Sequence, residues 1–102
     1  MNRYYVRKFL NRRGHHAGAF IIARVREPAS DFDDVFIEAS LDISDCSRMI
    51  SLDFPLYSKS ARSNSLYKAN LLAEVTARFA AALEAQVIEL AKQEAPERKS
   101  GV

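Results

Sequence analysis

The chain has 102 residues, of which 48% are hydrophobic and 27% charged, with a formal net charge of +2 and a single cysteine. That balance places it among globular proteins and excludes disordered, collagen-like and disulfide-framework classes. No window approaches the roughly 20 apolar residues that a membrane-spanning helix needs, and the basic start "MNRYYVRKFLNRR" has no apolar run behind it, so a cytoplasmic location and no membrane contact are expected.

The modest net charge conceals a block pattern. Residues 1–26 carry Arg3, Arg7, Lys8, Arg12, Arg13, Arg24 and Arg26 without one acid. Residues 27–54 carry eight acids against Arg48 alone. Such blocks either mark a site for a polyanion or neutralise each other across the folded structure.

In chain order, the first predicted element is a strand over about 3–10, rich in aromatic and β-branched residues that suit a pleated surface. "NRRGHHAG", residues 11–18, holds two of the three glycines and reads as a turn. "AFIIARVR", 19–26, is short and β-branched, and Glu27-Pro28 ends it, because a residue before proline is pushed away from helical geometry. A third strand over about 35–43 shows the clearest period of two, with Val35, Ile37, Ala39, Leu41 and Ile43 alternating with more polar neighbours. A fourth, about 48–54, stops at Pro55, which has no backbone donor.

From about Leu66 the period changes. Leu72, Val75, Phe79, Leu83, Val87 and Leu90 recur at spacings of three and four, which predicts a helix over about 64–95. Ser63, Asn64 or Ser65 would cap its start, Pro96 would close it, and residues 96–102 would form a flexible tail. The expected fold is therefore α+β in the order β-β-β-β-α: one domain over 1–95, an antiparallel sheet of about four strands with the long C-terminal helix packed on one face.

That helix, at roughly 45 Å for 30 residues, is longer than any strand of about 8 residues, roughly 26 Å, so part of it must overhang. The overhang would expose Val87 and Leu90, and a homodimer pairing such surfaces is expected.

No catalytic constellation is visible. There is no nucleophile elbow, no zinc-protease helix and no glycine-rich phosphate loop. His15 and His16 read as residues of a solvated turn, and Cys46 as a small buried thiol; "DFDD" at 31–34 lacks the glycine a calcium loop requires six residues in, so neither a metal nor a cofactor is expected. The sharper lead is the opening strand. If it alternates, Arg3, Tyr5, Arg7 and Phe9 share one face and Arg12 and Arg13 extend it, which is the composition single-stranded DNA or RNA requires: rings for bases, guanidinium groups for phosphates. A lesser anion site could form at "SKSARSNS" through Lys59 and Arg62. The alternative to a nucleic-acid-binding protein is a regulatory or adaptor protein that binds a protein partner through the helix or the charged sheet.

Overall fold

The computed structural model describes residues 2–27 and 37–100, with side chains described for 3–27 and 37–94. Four strands, β1 (Asn2–Phe9), β2 (Phe20–Arg26), β3 (Glu38–Asp45) and β4 (Arg48–Asp53), precede one long helix, α1 (Lys59–Ser100). The strands form a single antiparallel sheet in the order β1-β2-β3-β4. The chain divides into two compact units, Met1–Lys68 and Ala69–Val102.

The sheet follows from its alternation. Residues directly opposite each other in antiparallel strands share a face. The pairs Val6↔Ala23, Lys8↔Ile21, Ala23↔Leu41 and Leu41↔Leu52 therefore build one face with Val25, Ala39, Ile43 and Ile50, apolar apart from Lys8 and, at its end, the pair Asp45↔Arg48. The other face collects Tyr5, Arg7 and Phe9 on β1, Arg24 and Arg26 on β2, and Glu38 and Asp42 on β3. Most of the apolar face is half-buried and none of it fully so. Among the described residues the only buried hydrophobic one is Ala19, at 4% exposure.

β3 runs two residues further than the alternation suggests, to Asp45, while the expected start at Val35 and Phe36 lies outside the described residues. It extends because the turn to β4 is only Cys46-Ser47, closed by the pair Asp45↔Arg48. Cys46 takes the left-handed backbone region, φ 59°, which lets so short a connection reverse the chain.

The helix starts five residues before the sequence reading places it. Ser58 is the cap: its Oγ accepts the Ala61 N–H at 3.0 Å, and its carbonyl accepts the first helical bond, from Arg62 N at 2.9 Å. The serines read as caps lie inside the helix instead. Ser65 is 3% exposed and donates from Oγ to the Pro55 carbonyl at 2.7 Å. Arg62 donates to the Leu56 carbonyl at 3.1 Å, while Lys68 donates to the Asp53 carbonyl at 2.7 Å and lies 5.0 Å from the Phe54 ring centroid. These bonds fasten the first turns of α1 to the connection that follows β4. At its other end the helix is bounded by Ser100, beyond Pro96, since a proline forfeits one donor and bends a helix without always ending it.

Within residues 69–94 only Leu72 is even half-buried. Val75, Phe79, Leu83, Val87 and Leu90 are exposed at 55, 65, 52, 57 and 47%. No helix is long and apolar enough to cross a membrane among the described residues.

Candidate nucleic-acid interface

β1 is an edge strand, paired on one side only among the described residues. Tyr5 stands opposite Arg24, Arg7 opposite Ile22 and Phe9 opposite Phe20, and all six side chains share the charged face. Tyr5 and Phe9 are exposed at 50% and 60%. Between them the Arg7 guanidinium lies 5.8 Å from the Phe9 ring centroid and 6.0 Å from that of Phe20, a cation–π arrangement with two rings at once. Phe20 escaped the sequence reading, although counting outward from both sides of the turn at 11–18 would have placed it beside Phe9.

Arg3 belongs to this group less closely. The register shifts between Asn2 and Tyr4, and the Arg3 guanidinium is bound to the Glu27 carboxylate. Arg12 and Arg13 are exposed in the turn after β1 and have no ion-pair partner among the described residues. The turn is shaped by Gly14 at φ 98° and by a bond from His15 N to the Arg12 carbonyl at 3.0 Å. Positive φ at Gly14 costs little because glycine has no Cβ.

Further across the face the charges cancel. Arg24 meets Asp42 at 3.1 Å and Arg26 meets Glu38 at 3.2 Å. The basic and acidic blocks of the sequence therefore do pair, on β2 and β3. Among the described residues, Arg7, Arg12 and Arg13 at the other end of β1 have no ion-pair partner, and Arg7 is grouped with Tyr5, Phe9 and Phe20.

At the second candidate site, Lys59 is exposed at the first residue of α1. Of the four serine hydroxyls there, Ser58 and Ser65 are engaged by Ala61 N and the Pro55 carbonyl, Ser60 and Ser63 are exposed, and Arg62 is directed to the Leu56 carbonyl. The start of the helix is capped from within the chain. Val87 and Leu90, read as a partner surface, are exposed on α1.

One cluster differs from its expected role. Cys46 is exposed rather than buried, because its turn projects beyond the sheet. Its Sγ is 3.2 Å from His16 Nε2, and Asp45 completes a group whose ligand atoms all lie within 4.8 Å of one another. These three residues could hold a metal by composition, but the hydrogen bonding favours a structural role. His16 Nδ1 accepts the Gly18 N–H at 3.0 Å, so the neutral ring carries its proton on Nε2 and donates it towards the sulfur. Coordination through Nε2 would move that proton to Nδ1 and break the bond to Gly18. Three further bonds close the same corner: Cys46 N to the Gly18 carbonyl at 3.1 Å, Ser44 Oγ to the same carbonyl at 3.2 Å, and Asn11 Nδ2 to the His16 carbonyl at 2.9 Å.

Neither a protein-family model, nor a curated protein, nor a solved structure matches this chain.

Proposed function

We propose that this protein is a non-enzymatic binder of single-stranded nucleic acid, DNA or RNA, and that it docks the strand along β1. The observation that carries the reading is the grouping of Tyr5, Arg7, Phe9 and Phe20 on the open side of the sheet, with Arg7 between rings. Exposed rings offer surfaces on which bases stack at about 1–3 kcal/mol each, whatever the base. Guanidinium groups neutralise phosphates and release their counterions. Arg12 and Arg13 continue the cationic track into the adjoining turn, whereas in the far half of the sheet Arg24 and Arg26 are taken up by Asp42 and Glu38, and Asp53 adds a negative charge. The strand's path is thereby confined to β1 and its turn. Arg3, held by Glu27, supplies less than its position in the sequence suggests.

The test is binding of a fluorescent oligothymidine by anisotropy over a range of salt. The expected affinity falls by about 0.7 log units per log unit of salt for each phosphate contact. Reversing the central charge, Arg7→Glu, is expected to abolish binding while the far-ultraviolet circular dichroism stays unchanged. Salt-independent binding, or binding that survives R7E, ends the reading.

A further inference from the structure

The apolar side of α1 has a symmetry that the spacing of three and four does not require. At about 100° per residue, Leu72, Phe79, Leu83 and Leu90 fall within about 20° of one line along the helix, and Val75 and Val87 flank it at about 60° to either side. Counted from the level of Ala81, residue types match in both directions: Ala80 with Ala82, Phe79 with Leu83, Thr76 with Gln86, Val75 with Val87, and Leu72 with Leu90. From Leu72 to Leu90, these matches cover the positions within about 80° of that line; on the far side of the helix the match lapses, with Glu74 level with Ile88 and Ala73 with Glu89.

This pattern fits one occupant. In a two-fold symmetric interface the same surface is used twice, so a residue on one copy meets a different residue of the other, and each must suit its counterpart. An antiparallel pair of α1 helices with its axis at the level of Ala81 sets Leu72 and Phe79, which lie near the line, against Leu90 and Leu83 of the second copy, and brings the flanking matched residues level with one another on the two sides of the seam. Ala80 and Ala82 beside the crossing allow close approach of the two backbones. Val75, Phe79, Leu83, Val87 and Leu90 are also exposed.

We infer that a second copy of this chain covers the exposed stripe, its α1 running antiparallel and crossing at the level of Ala81. The inference is independent of nucleic-acid binding, since none of the stripe residues belongs to the β1 face.

The experiment uses the full chain carrying Cys46→Ser, so that no other thiol is present. Leu72→Cys and Leu90→Cys are introduced on separate chains, one bearing a tag to change its mass, and oxidised mildly alone and mixed. A disulfide needs Cα atoms about 4.4–6.8 Å apart. Antiparallel pairing brings position 72 level with position 90 of the second copy, but leaves two copies of position 72 about 27 Å apart along the axis. Cross-linking in the mixture and none in either chain alone is the expected result. Cross-linking of either variant with itself shows parallel pairing and overturns the inference, as does no cross-link in the mixture. Sedimentation equilibrium of the unaltered chain must give a mass twice that of one chain; a monomer overturns the proposal outright, and leaves a different protein's helix as the occupant.

Discussion

Phe9 stands directly opposite Phe20 across the ladder between β1 and β2, and the Arg7 guanidinium reaches both rings. The pair turns a single exposed ring at a strand end into a two-ring surface with a cation against it. If bases stack there, Phe9→Ala and Phe20→Ala each remove one stacking surface, and about 1–3 kcal/mol per base corresponds to a loss of about 5- to 150-fold in affinity for a single strand. Both variants are expected to bind duplex DNA no differently from the unaltered chain, because paired bases cannot reach the rings. Equal loss for single and double strands in the same anisotropy measurement would assign these phenylalanines to sheet stability instead.

Arg12 and Arg13 lie in a turn, away from any ring, and are expected to act through charge alone. Replacing both with glutamine should lower the slope of log affinity against log salt by up to about 1.4, at about 0.7 for each phosphate that is no longer neutralised. The reduction should be the same for different base sequences, since phosphates carry no base information. An unchanged slope places the phosphates elsewhere.

Within the sheet, Arg24 and Asp42 are both more than two-thirds buried, and the Arg24 Nε atom is buried without a partner. Asp42→Ala leaves a half-buried guanidinium with no carboxylate. The expected cost is about 1–3 kcal/mol, read as a shift of the urea midpoint at unchanged slope. Glu38→Ala removes the partner of Arg26 in a pair about half exposed on both sides, and is expected to cost well under 1 kcal/mol.

Much of this architecture was legible in the residues. Strands of period two, a turn marked by glycines and a helix of period 3.6 follow directly from side-chain spacing. The helix start was not, because five of the eight residues from Ser58 to Ser65 are small and polar, and spacing does not separate a cap from a serine inside the first turns. Only the bonds of Ser58 to Ala61 N and of Ser65 to the Pro55 carbonyl separate the two roles. The exposure of Cys46 was hidden for a related reason: a cysteine next to a strand is usually buried, and nothing in the sequence announces a two-residue turn whose first position is left-handed. At the candidate site, β1 revealed Tyr5, Arg7 and Phe9 by alternation, but Phe20 and the capture of Arg3 by Glu27 depend on register between strands. Register is a non-local property.

The helix start gives its own measurement. Ser58→Ala removes the acceptor for Ala61 N–H and is expected to lower stability by about 1 kcal/mol, whereas Ser63→Ala, at an exposed position inside the helix, should be neutral or slightly stabilising because alanine has the better helical propensity. Equal effects at the two positions in urea unfolding would remove Ser58 from the capping role.

The corner that joins the two hairpin turns yields the last expectation. A Cβ added at Gly18 would lie 3.2 Å from the Cys46 Cα and 3.2 Å from His16 Nδ1, so neither neighbour is a flexible chain end that can swing aside. Gly18→Ala must therefore push the β1–β2 turn away from the β3–β4 turn, straining the bonds from Cys46 N and Ser44 Oγ to the Gly18 carbonyl, at a cost of about 1–3 kcal/mol. Cys46→Gly has the opposite sign in its backbone component. Glycine adopts φ 59° without the roughly 1–2 kcal/mol that a side chain incurs in the left-handed region, which offsets the removal of the sulfur from His16. Cys46→Val adds a branched Cβ in the same region and should destabilise. The order Gly, then Cys, then Val in urea midpoints is the expected outcome. If valine is tolerated as well as glycine, the left-handed turn is not what holds the two hairpins together.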